Sequence, residues 1–109
     1  ELSSSLRVFN SDAKTVQYRT HSIQDVLSEL WTLEVRHLLV EGGATVISEF
    51  IKHGLFDEIL VYQAPLLIGG SNVAVEDLEI NTMSDAIQLS FSEVKVLGKD
   101  VLYRAVRSN

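Results

Sequence analysis

Apolar residues recur along this chain with two different periods, and the changes of period mark its elements. In "HSIQDVLSELWTLE", Ile23, Val26, Leu27, Leu30 and Trp31 fall at i, i+3, i+4, i+7 and i+8, the spacing that gathers side chains on one face of an α-helix. Ser22 precedes that stripe and Asp25 stands three positions later, as in a capping box, so the pattern predicts a helix from Ser22 to near Glu34. "ATVISEFIKHG" repeats the arrangement with Val46, Ile47, Phe50 and Ile51, closed by Gly54 just past the helix end. Three segments lack this period. "TVQYR" is rich in β-formers and reads as a short strand from Lys14 to Arg19, and "VRHLLV" reads as a mostly apolar strand leading into Glu41. "DEILVYQAPLLI" is almost continuously apolar, which predicts a long strand buried on both faces.

The resulting order is βαβαβ. Each short helix then carries the chain back to begin another parallel strand, so the fold class predicted is α/β: a mixed, mostly parallel sheet with flanking helices. The carboxyl-terminal part follows another rule. "FSEVKVLGKDVLYRAV" is two β-rich runs separated by "GKD", a hairpin signal, so the sheet is expected to finish with an antiparallel ribbon. "GGSNVAVEDLEINTMSDAIQLS" mixes turn residues with a few hydrophobes and reads as a loop with one helical turn near Ser84 to Ile87.

Composition narrows the function classes. With 109 residues, 46% hydrophobic content and one proline, the chain suits one packed domain or a piece of one. Nine basic against fifteen acidic residues give a net charge of -6 without a Lys/Arg cluster, so the electrostatic footprint for nucleic acid or an anionic membrane is missing. The absence of cysteine excludes a disulfide framework, a thiolate nucleophile and a Cys-based metal site. With no cysteine the cytosol is the default compartment; no apolar run approaches the roughly 20 residues that a membrane-spanning helix needs, and the start shows no basic-then-apolar signal pattern. The chain lacks an initiator Met and opens in mid-sequence.

Chemistry gathers at one junction. In a parallel sheet ligands bind outside the carboxyl ends of the strands, and the segment at such an end is Glu41-Gly42-Gly43-Ala44-Thr45. Gly42 and Gly43 can take backbone angles closed to other residues and let a ligand approach the main chain, while the free N–H groups and dipole of the next helix favour a phosphate. The alternative is a structural tight turn, because neither a dinucleotide-binding fingerprint nor a Walker loop is spelled out. Glu41 is either a solvated strand-end carboxylate or one that orients or protonates a substrate amine or imine. Gly69-Gly70 follows a similar apolar run and is either a second edge of the same cleft or an ordinary turn. Adjacent Asp57 and Glu58 would point to opposite faces of a strand, which argues against a catalytic pair. Glu49 and His53, four apart on a helix, make at most half a metal site. His21 and His37 have no partner visible in the sequence, and Ser3, Ser4 and Ser5 lack the glycine-flanked elbow of a hydrolase nucleophile.

"LLVEGGATVISEFIKHGLFDEILVYQAPLLIGG" resembles the carboxyl-terminal half of the riboflavin-biosynthesis reductase domain, the RibD C-terminal family with a dihydrofolate-reductase-like fold. The resemblance is carried by Glu41-Gly42-Gly43, Leu55-Phe56-Asp57-Glu58, Ala64-Pro65 and Gly69-Gly70, with "SDAIQLSFSEVKVLGKDVLYRAV" similar to the family's closing segment. It implies that residues 1-109 are a partial reductase domain, its cofactor-facing half, without the amino-terminal part that holds the first strand and much of the substrate pocket. It implies NADPH as cofactor and reduction of the ribosyl group of a pyrimidine ribosylamine 5′-phosphate to the ribityl chain. Gly42, Gly43, Ala44 and Thr45 would cradle the cofactor's phosphates, Glu41 would lie by the substrate and nicotinamide as the catalytic carboxylate, and Gly69 and Gly70 would flank the nicotinamide. Arg19 and Thr20 match the place where related folds hold the adenosine 2′-phosphate. No metal is implied; a partial sheet exposes apolar surface or a strand edge, so association with itself, as a homodimer, or with the remaining half is expected. Another dihydrofolate-reductase-like oxidoreductase and a non-catalytic assembly module are the alternatives.

Overall fold

Both helices form where the apolar periodicity places them. The computed structural model describes residues 6–20 and 22–108, and their contacts divide the chain into two units between Leu38 and Leu39. His21, Ser3, Ser4 and Ser5 lie outside the described residues. In the first unit a short 3-10 turn, Arg7–Asn10, precedes helix α1, Ile23–Thr32. Ser22 caps α1 as expected: its Oγ accepts the Asp25 N–H at 3.2 Å, satisfying one of the donors left over at a helix start. At the other end the N–H of Glu34 donates to Trp31 O and that of Val35 to Leu30 O, both at 3.0 Å. This is a Schellman closure, and it holds Glu34 at φ 61, a region that favours glycine. Arg36 folds back over this end, its guanidinium 4.0 Å from the Trp31 ring centroid and its Nη1 donating to Trp31 O at 3.1 Å.

In the second unit, α2 runs Ala44–Lys52 and ends in the same closure, with Gly54 N–H on Ile51 O at 3.0 Å and Leu55 N–H on Phe50 O at 2.9 Å. Here the left-handed residue is glycine, as the sequence predicts, with φ 63. Space adds a second reason for it, since a Cβ on Gly54 would stand 2.8 Å from Arg107 Nη1. Arg107 also lies over the Phe56 ring at 5.6 Å, so the end of α2 sits beside the end of the last strand.

The sheet has three strands, β1 Glu58–Gln63, β2 Leu89–Leu97 and β3 Asp100–Arg107, in the order β1-β3-β2. The expected terminal hairpin is present. Leu97 pairs with Asp100 across the two-residue turn Gly98-Lys99, and Gly98 supplies the positive φ of 65 that such a turn needs. Ser92 bulges out of the register between Phe91 and Glu93, and its Oγ donates to Arg104 O at 3.2 Å. The helical turn of the intervening loop falls at Met83–Asp85, within one residue of its predicted start.

Two expectations need correction. All pairings in the sheet are antiparallel, so the mostly parallel arrangement is not what these strands form. Residues 14–19 and 35–40 carry no ladder among the described residues, because a strand's N–H and C=O groups need a neighbouring strand and neither segment has one. The long buried strand at Asp57 to Ile68 is also shorter and wetter than its apolarity suggests. It stops at Gln63, where Pro65, which has no N–H, sits in a tight turn closed by Leu66 N–H on Ala64 O at 2.8 Å. Beyond that turn Leu67 is 104% and Ile68 91% exposed.

Burial is concentrated in a few positions of the second unit, namely Ile51, Ser48, Leu102 and Ala105. The polar face of the sheet is organised by Arg104 of the middle strand: Nη1 donates to Glu58 Oε2 at 3.0 Å on β1, and Nε lies 3.4 Å from Glu93 Oε2 on β2. The opposite face joins the same strands through Tyr103, whose hydroxyl donates to Gln63 Oε1 at 2.8 Å and whose ring lies 5.8 Å from that of Phe91. Among the described residues, no helix is long and apolar enough to cross a membrane.

Two measurements check these closures and pairings. Gly54→Ala should destabilise the chain by about 1–2 kcal/mol, through left-handed strain and displacement of Arg107, whereas Glu34→Gly should stabilise it by about 0.5–1 kcal/mol. Thermal unfolding followed by circular dichroism should therefore move Tm in opposite directions for the two variants, and a shift of the same sign would contradict the assignment. Arg104→Met, which keeps the aliphatic stem but leaves Glu58 and Glu93 facing each other across β3, should cost about 1 kcal/mol in urea unfolding, since exposed pairs are weak singly.

Candidate functional site

The segment singled out by sequence, residues 41–45, forms the entry to α2. Gly43 is the N-cap, with φ −74 and ψ 171, and no side chain caps the helix. Its conformation is open to any residue, and Gly42 is likewise outside the positive-φ set, so the expectation that this pair is needed for unusual backbone angles is corrected. At Gly42 the reason is space. A Cβ on Gly42 would approach Val46 Cβ to 3.2 Å, whereas a Cβ on Gly43 would meet nothing within 4 Å. Gly43 thus leaves the main chain approachable from outside, and Gly42 lets the chain pass close over the first helical turn.

Electrostatics at this end follow from the helix itself. Among the described residues, the N–H groups of Gly43, Ala44, Thr45 and Val46 have no hydrogen-bond partner, and the first turn of α2 contains no acidic residue. A helix start of this kind carries partial positive charge and suits a phosphate or carboxylate. An open glycine beside free N–H groups fits the phosphates of a dinucleotide cofactor. Glu41 is exposed two residues before the N-cap and makes no hydrogen bond or ion pair among the described residues.

Thr45 is committed to another group. Its hydroxyl donates to Glu76 Oε1 at 2.6 Å, and the Glu76 N–H donates to Ser48 Oγ at 2.7 Å. Ser48 is 1% exposed. Further along the same helix face Lys52 Nζ lies 3.4 Å from Glu79 Oε1. Residues 76–79 therefore form a strap along Thr45, Ser48 and Lys52, spaced i, i+3 and i+7. Glu79 takes φ 60 within the strap, its N–H held by Asp77 Oδ1 at 2.8 Å. Sequence reasoning missed Ser48 and Glu76. The available signal was Ser48 itself, a small polar residue between Ala44 and Ile51 on the helix's inward face.

The other candidates separate from this group. Gly69 and Gly70 have φ 71 and 100, so both are required by a turn, and no hydrogen bond or ion pair joins them to residues 41–45 among the described residues. Arg19 and Thr20 belong to the first unit, and Thr20 Oγ1 accepts the Ser22 N–H at 3.0 Å. Glu49 and His53 face each other at 3.7 Å on α2, and no cluster of three His, Asp or Glu residues that could hold a metal ion occurs among the described residues. Asp57 and Glu58 do part as expected, Glu58 pairing with Arg104. A shallow cleft lined by Gln63, Ala64, Pro65, Lys99, Val101 and Tyr103 lies at the hairpin end of the sheet.

Comparison with known proteins joins these features to a family. The RibD C-terminal domain model matches residues 1–103. The riboflavin biosynthesis protein RibD of Mycobacterium tuberculosis is 36% identical over 100 residues, which cover 92% of this chain and 29% of that protein. The 2,5-diamino-6-ribosylamino-4(3H)-pyrimidinone 5′-phosphate reductase of Methanothermobacter thermautotrophicus is 33% identical over 79 residues, 71% of this chain and 37% of its own. Among solved structures, Acinetobacter baumannii RibD superposes with a TM-score of 0.76 at 28% identity, covering 85% of this chain and 27% of that one. A riboflavin biosynthesis protein structure from a Shewanella species shares the fold with a TM-score of 0.69 at 18% identity, over 91% of this chain and 58% of that one. The chain spans less than a third of the tuberculosis relative it matches, and it belongs to the RibD C-terminal domain family.

Proposed function

We propose that this chain is the cofactor-facing part of an NADPH-dependent reductase of riboflavin biosynthesis. The reaction assigned to it reduces the ribosyl group of a pyrimidine ribosylamine 5′-phosphate to the ribityl form. The observation that carries the reading is the uncapped start of α2, where Gly43 faces open space beside unpaired N–H groups. The reductase name of the Methanothermobacter relative, together with the family match, supports the reaction class and the substrate.

NADPH, when bound, would supply hydride for reduction at C1′ of the ring-opened sugar imine. The chain's own residues bind and orient. The N–H groups of Gly43, Ala44 and Thr45 hold the dinucleotide's phosphates, worth about 0.3–1 kcal/mol from the helix dipole in addition to the hydrogen bonds themselves. Gly42 keeps the backbone low over Val46 so that the phosphates reach those donors. Glu41, on the approach to the glycines, holds a proton at the substrate nitrogen, keeping the C=N carbon electrophilic as the hydride arrives. Gly69 and Gly70 shape the nicotinamide end, as the family resemblance implies.

The cofactor reading is tested by calorimetric titration of NADPH into the chain and into Gly43→Val. A Cβ at position 43 would meet no protein atom within 4 Å and the backbone there is extended, so Gly43→Val is expected to fold and to bind at least about tenfold more weakly, the loss of one or two phosphate hydrogen bonds. Equal binding by the two proteins would refute the cradle.

The apolar face of the hairpin supports a homodimer. Phe91 is 70%, Val94 58% and Val96 71% exposed, and they lie on one face of β2 at the sheet's edge. Sedimentation of the chain should give the mass of two copies, and Val94→Lys with Val96→Lys should return it to one; a monomeric parent would end this part of the reading.

A further inference from the structure

The strap holds a negative charge at the first turn of α2. Glu76 is anchored twice, by its N–H on the Ser48 hydroxyl at 2.7 Å and by its carboxylate on the Thr45 hydroxyl at 2.6 Å. The Ser48 anchor is buried, and the strap is held again at Lys52 and Glu79, 3.4 Å apart. The carboxylate is therefore kept on the first turn rather than left to wander. That turn has no acidic residue of its own and no side-chain cap, and the Glu76 carboxylate held on Thr45 is an anion its dipole meets.

We propose that Glu76 is an internal competitor for the phosphate site, setting how tightly an anionic ligand binds there. The inference rests on the cofactor reading and concerns the regulation of the same site. A phosphate held by the N–H groups of Gly43 to Thr45 and a carboxylate held by the Thr45 hydroxyl share one helical turn. Each is stabilised by the same dipole, and each repels the other. The Thr45 hydroxyl can donate to only one of them. Binding of the dinucleotide consequently requires the strap carboxylate to be screened or turned away, and the chain's net charge of -6 offers it no general attraction.

Glu76→Gln isolates the charge, because glutamine keeps the backbone donor to Ser48 and an amide oxygen for Thr45. NADPH titrations at low salt should show this variant binding about three- to tenfold more tightly than the parent, the range expected for one exposed charge several ångströms from a phosphate. The gain should shrink at high salt, where the screening length falls to about 3 Å. Asp100→Asn, the same charge change at the hairpin turn, should leave the affinity where it was. Binding by Glu76→Gln that equals or falls below the parent's, while Gly43→Val still weakens binding at least about tenfold, overturns the competitor and leaves the cofactor reading intact. An equal gain in Asp100→Asn also overturns it, since net charge alone would then explain the effect. Absence of NADPH binding in both parent and Glu76→Gln overturns the inference and the cofactor reading together.

Discussion

Every strand pairing in the sheet passes through β3. β1 and β2 never touch each other's backbones, and each is registered only against the strand between them. That strand supplies Leu102 and Ala105 to the buried positions, Arg104 to both outer strands on one face and Tyr103 to both on the other. The constraint is the alternation of a β-strand, in which successive side chains face opposite ways. An Arg between two carboxylates and a Tyr between Phe91 and Gln63 can both be satisfied only if the register is held on both sides at once. The hairpin turn at Gly98 sets one register, and the other follows from the placement of Arg107 against Phe56 and Gly54.

Through Arg107 the sheet reaches α2. Gly54 closes the helix in a left-handed conformation that leaves room for the guanidinium, so helix end and strand end are placed together. The other end of α2 is then free to present its first turn to a ligand. The strap at Glu76 lies along the same helix, on Thr45, Ser48 and Lys52. One nine-residue helix thus links the sheet, the glycine pair and the acidic strap, and the proposed chemistry depends on its placement.

Particular residues show how far the sequence could be read. Ser22 with Asp25, Gly54 and the "GKD" turn each act locally, within a few residues, and each does in the structure what its type suggests. Longer-range expectations fared differently. Apolarity in "DEILVYQAPLLI" indicates a preference for burial but not the position of a partner, and Pro65 interrupts the strand that the pattern would extend. Glu34 in a left-handed closure is not announced by its residue type, since glycine is the usual occupant. Glu76 and Ser48 are 28 positions apart, a separation no periodicity can bridge.

The sequence by itself therefore determined the two helices, the caps at Ser22 and Gly54, the terminal hairpin and the family, because these depend on short-range spacing and on residues matched one by one. Tertiary structure alone decided that the strands pair antiparallel around β3, that Gly42 lies close over Val46 while Gly43 faces open space, and that an acidic strap lies on the first turn of α2. The physical reason is the same in each case. Hydrogen-bonded ladders, steric clearance and charge proximity are properties of groups brought together from distant parts of the chain, and composition along the chain carries no record of which groups will meet.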